Sequence, residues 1–210
     1  MEKIFARTFS YLFHPLVMTT LILVILFNSG TSLSVLQPEV KKIALSVTIL
    51  FTFVFPASMI IILYISRLIE SVELQERKDR NLVLSLSLII YLVLFFILRG
   101  IPQLSAGHVV FLSCPLIVVL FVLVLNRIMN PSIHMLAVGM LVAVILMLIL
   151  VFGSPLQLLF ILSLLSAGIL GTSRLVLRMH SPREVLTGFG MGFFITLTVL
   201  LTFVFTVMTR

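Results

Sequence analysis

SIHMLAVGMLVAVILMLILV, residues 132–151, carries no formal charge and one titratable side chain, His134. Coiled as an α-helix, such a run is ~30 Å long, the thickness of a bilayer's hydrocarbon core. Six more apolar runs accompany it, at about 12–28, 43–66, 82–98, 109–126, 155–171 and 185–208. The connections between them are short, and no internal repeat of ~20–50 residues is present. Of the 210 residues, 61% are hydrophobic and 10% charged, whereas about a quarter of a soluble domain is commonly charged. Barrel strands would alternate apolar and polar residues over short segments, and these runs do not. The expectation is an all-α polytopic transmembrane bundle of about seven spans, with residues 1–210 as one integral-membrane domain.

A net charge of +7 would suit a nucleic-acid partner, but the lysines and arginines fall in the loops between apolar runs. There they are read as orientation signals, and nucleic acid is excluded. Cys114 is the only cysteine, so no intramolecular disulfide can form. Met1 to Phe27 begins with Lys3 and Arg7 and then turns apolar, as a secretory signal would. No A-x-A cleavage site follows, so the stretch is read as the first span.

Seven spans put the N-terminus and the loops after spans two, four and six on one face. That face holds ten cations: Lys3, Arg7, Arg67, Arg77, Lys78, Arg80, Arg127, Arg174, Arg178 and Arg183. The other holds four, Lys41, Lys42, Arg99 and Arg210, and Glu39 is the one acid that does not join the first group. The polar chemistry of the chain therefore faces one way.

Three stretches on that face stand out: SRLVLRMHSPREVLTGFG (173–190), NPSIH (130–134) and ERKDR (76–80). Together they resemble the type 2 phosphatidic acid phosphatase superfamily, whose motifs are K-x6-R-P, P-S-G-H and S-R-x5-H-x3-D. Ser173, Arg174 and His180 match the third motif at its spacing, with Glu184 in place of aspartate. Pro131, Ser132 and His134 match the second, with Ile133 in place of glycine. The first is degenerate, Lys78 and Arg80 being nearby cations without the full pattern. Membrane proteins bearing an ERKDR stretch look like a divergent branch of this superfamily.

The resemblance covers roughly the last 140 residues and implies a six-helix phosphatase-like core within the seven-span bundle. It implies hydrolysis of a lipid phosphate or diphosphate, with His180 as the nucleophile that forms a phosphohistidine. Glu184 would orient the His180 ring, and His134 would protonate the leaving oxygen. Arg174, Ser173, Ser132, Lys78 and Arg80 would hold the phosphoryl oxygens, arginine suiting the task through its planar pair of donors. The scheme needs no metal or other cofactor, and no His/Cys/carboxylate cluster has metal-ligand spacing. Membrane lipids are the expected partners, in a bacterial inner membrane. The cation count puts the site in the cytoplasm, whereas the resemblance implies the periplasmic face.

Simpler readings accompany these. Arg67, Arg127 and Arg183 are taken as interfacial anchors, and His14 and His108 as residues outside any site. ERKDR is either a solvated loop or a phosphate clamp. Gly188 with Gly192, and Ala167 with Gly171, are spaced for close helix packing. A second function follows from the degenerate first motif: a non-catalytic subunit that binds a lipid phosphate, a membrane-protein partner or a second copy of the chain. A transporter would show broken helices or charges near the midplane, and the spans are almost free of charge.

Overall fold

The computed structural model of the protein describes residues 1–74, 76–126 and 128–208. Arg127 and Arg210, counted above on opposite faces, lie outside the described residues. Helices α1 (Glu2–Leu12), α2 (Pro15–Phe27), α3 (Pro38–Ile49) and α4 (Phe55–Ile65) come first, followed by α5 (Arg77–Arg99) and α6 (Ala106–Leu125). Then come α7 (Ile133–Phe152), α8 (Gln157–Val176) and α9 (Pro182–Met208). Among the described residues there is no strand. Among the described residues six helices are long and apolar enough to cross a membrane, α3 and α4 counting as one, Pro38–Ile65. The expected all-α membrane bundle is what the chain forms.

The first expected span, 12–28, is organised differently. The helices α1 and α2 meet at a 53° bend, and the number of spans rises to seven where this bent pair is counted as one. The cause is Pro15, which has no N–H to continue a helix and pushes the preceding residue into extended backbone. His14 accordingly sits at ψ 137°, and its Nδ1 caps α2 by accepting from the Leu16 N–H at 3.3 Å. A second irregularity joins α3 to α4, a π turn at Leu50–Val54. Pro56 follows it, and its missing N–H leaves the Thr52 carbonyl without the usual partner.

The helix α7, the uncharged run 132–151, is the axis of the bundle and its most buried span. Lipid tails are as apolar as leucine, so its neighbours are held by close packing and not by hydrophobic exclusion alone. The glycines supply the closeness. A methyl group at Gly188 would come within 2.5 Å of the Ser132 carbonyl, and one at Gly192 would collide with the Leu136 carbonyl. Gly139 meets the Phe189 carbonyl in the same way from the α7 side. The expected Gly188–Gly192 stripe therefore lies on the α7 backbone. Gly171 on α8 packs against Val185 and Met135. Cys114 on α6 is fully buried in the same core.

At the other end of the bundle, His108 is satisfied as a structural residue. Its ring forms a capping box with Ser105 and lies 2.6 Å from the Leu33 carbonyl.

Candidate functional site

The start of α9 fixes the geometry of the site. Ser181, Pro182 and Glu184 form the N-terminal signature S-P-x-E, a capping box with proline at the first helical position. The Ser181 N–H donates to Glu184 Oε2 at 2.8 Å, and the Glu184 N–H points back to Ser181 Oγ at 3.4 Å. The carboxylate is thus held by its own helix start before it touches anything else. The same Oε2 lies 3.5 Å from His180 Nδ1, and the Asn130 side chain also reaches this carboxylate. A glutamate at this position therefore meets the histidine, sharing one oxygen between the imidazole and the helix cap.

His180 reaches that position through a sharp turn after α8. Arg178 adopts φ +55°, a left-handed conformation unusual for a residue with a side chain. The Met179 N–H bonds back to the Arg174 carbonyl at 3.2 Å, closing the turn. Arg174, in the last turn of α8, is 8% exposed. The α7 start is tied to the same place: the Ser132 N–H donates to the Glu184 carbonyl at 2.9 Å. That bond brings NPSIH against SPRE and carries His134 with it.

His134 bonds to the Ser10 carbonyl on α1 and lies within the fields of Arg174, His14 and His180. Its ring packs edge-on against His14, with centroids 5.3 Å apart. Arg80, 3% exposed, donates to Asn126 Oδ1, and Asn126 in turn donates to Asn81 Oδ1 at 2.6 Å. The Arg80 charge acts on both His180 and Glu184. Several buried polar atoms have no partner among the described residues: Arg174 Nε, Arg80 Nε, Ser132 Oγ and His180 Nδ1, the last at a longer ionic contact only. Buried donors of this kind are costly unless something accepts from them.

The His180 ring is pushed down to about pKa 4. Burial is the first cause and the Arg174 charge the second, with Glu184 pulling the other way. At neutral pH the ring is uncharged. Its Nδ1 faces the carboxylate, so the proton belongs there and the lone pair on Nε2 is left free.

The structure brings together His134, Arg174, His180, Glu184, Ser132 and Arg80 at one end of the bundle. Lys78 is exposed and does not join the cluster, whereas Arg80 turns inward to it; Asp79 is also buried and accepts from the Glu70 N–H at 2.6 Å. ERKDR is thereby divided between solvent and cluster. Ser173 is buried but donates to the Ile169 carbonyl at 2.7 Å and lines a groove between α8 and α1. Among the described residues no three His, Cys, Asp or Glu side chains are grouped to hold a metal ion.

The sequence reading placed His14 outside any site and gave no role to Asn126, Asn130 or Ser181. Two had a visible signal, the His-Pro pair at 14–15 and the S-P-x-E box at 181–184. The asparagines had none, since a single amide at the end of an apolar run has no characteristic spacing. Comparison with protein-family models, curated proteins and solved structures finds no match for this chain.

Proposed function

We propose that the cluster binds the phosphate of a membrane lipid and hydrolyses it, as the resemblance to the type 2 phosphatidic acid phosphatases suggests. The observation that carries this reading is Arg174: its guanidinium is buried, its Nε is unpartnered, and His14, His134 and His180 all lie within its field. A phosphoryl group would satisfy the unpartnered donors and add negative charge beside Arg174, which already lies in the field of the Glu73 carboxylate.

In this reading Nε2 of His180 attacks phosphorus as the ester P–O bond breaks, and Glu184 stabilises the positive ring that results. His134 takes up, on its free nitrogen, a proton brought by the phosphate monoester and passes it to the departing oxygen. Water then attacks the phosphohistidine, His134 takes a proton back, and inorganic phosphate leaves with His180 restored. Arg174 and Arg80 hold the equatorial oxygens as charge builds.

The test is phosphate release from a panel of lipid phosphates and diphosphates by the purified protein, beside His180→Ala. Release by the parent and none by the variant supports catalysis. A second reading, a binding subunit without turnover, is favoured by the sharing of Glu184 Oε2 between His180 and the Ser181 cap. It predicts phosphate binding with no trapped phosphohistidine.

A further inference from the structure

Beside the charged cluster, α8 and α9 separate to leave a groove of about 470 Å³, within the ~300–1,000 Å³ typical of ligand sites. Leu164, Ala167, Gly168 and Gly171 line it from α8, and Val185 and Phe189 from α9. No charged side chain lines it, and Thr172 is its one polar residue. Its upper end includes Leu175 and Val185, the immediate chain neighbours of Arg174 and Glu184. Leu164 lies ten residues before Arg174, so the groove descends ~15 Å along the helix, about half the hydrocarbon thickness.

We infer that this groove is the subsite for one hydrocarbon chain of an anionic lipid whose phosphate reaches Arg174. The inference rests on the phosphate reading of the cluster and adds where the substrate's chain lies. Charge decides the occupant. A groove without charges at bilayer depth is filled by hydrocarbon, while its end is formed by Met135, Leu175 and Val185, the chain neighbours of His134, Arg174 and Glu184. Only an amphiphile with an apolar tail and an anionic head satisfies both ends. Gly168 also belongs to the argument, because a Cβ added there meets nothing within 4 Å. The backbone packing does not require glycine at this position, and its bare surface widens the groove.

That open space provides the experiment. Gly168→Leu should fold normally while filling the groove, and Gly168→Ala should fill it partly. Binding is measured with long-chain phosphatidate in nanodiscs and with glycerol phosphate in solution. The expected result is phosphatidate affinity lowered on the order of tenfold in Gly168→Leu, less in Gly168→Ala, and glycerol phosphate affinity unchanged in both. Equal phosphatidate affinity in parent and variants overturns the chain subsite. Equal losses for both ligands overturn it as well, by showing that the substitution acts on the cluster. A shift from dimer to monomer with lipid affinity intact would assign the groove to a second copy. If the parent binds neither ligand, the phosphate reading falls first and takes this inference with it.

Discussion

A single imidazole, His180, sets the pH behaviour expected of the site. Its ring is held to about pKa 4 against an ordinary 6.5. Between about pH 6.5 and 4 the unfolded chain would bind a proton that the folded site refuses. The neutral-ring contribution to stability is therefore complete above that window and is lost as pH falls through it. A ¹⁵N titration of the ring should show a midpoint near 4, moving upward in Arg174→Gln because the second cause of the shift is removed. A midpoint that ignores Arg174 would mean the guanidinium does not act on His180. His14 makes a separate case. His14→Asn keeps a good helix cap but deletes the ring packed on His134. It should leave the melting temperature nearly unchanged and lower kcat about tenfold, through loss of a positioned acid. Loss of folding instead would confine His14 to its capping role.

Among the elements, the α7–α9 pair makes the sharpest demand. Gly192→Val drives a branched side chain into the Leu136 carbonyl, a backbone atom that cannot rotate away. It should cost about 1–3 kcal/mol or more. Gly190→Ala is the control, since a Cβ there meets nothing within 4 Å. It should be neutral or add up to ~1 kcal/mol through helix propensity. Thermal unfolding in detergent measures both, and equal effects would mean that the two helices pack less closely. These elements also show what the sequence discloses. Long apolar runs locate spans to within a few residues, because hydrocarbon thickness enforces a minimum length. The breaks are less visible, since each depends on how one residue's backbone is accommodated. Pro15 and Pro56 accompany two of them, inside runs read from the sequence as unbroken spans. Nothing in the composition around Arg178 announces a left-handed residue, yet that turn aims His180. The motif spacings at 131–134 and 173–184 brought the right helix ends together. They could not show that Ser173 turns away or that Asn126 holds Arg80, because both depend on rotation about a helix axis.

Over the whole molecule, the polar ends of α2, α5, α7 and α9 and the C-terminal end of α8 meet at one face. Cysteines introduced at Lys78 and Arg183 should therefore react with an impermeant thiol reagent from the same side, and one at Gln37 from the other. Opposite sidedness of the first two would break the seven-span arrangement. The native thiol does not complicate that measurement: Cys114 is 0% exposed and should stay silent in the folded protein. Its burial also makes it a clock. With one thiol in the entire chain, every thiol-labelling event in the unmodified protein must report an opening of the bundle around α6. In a protein without tryptophan, where intrinsic fluorescence offers little, the rate of Cys114 labelling against denaturant would time unfolding directly.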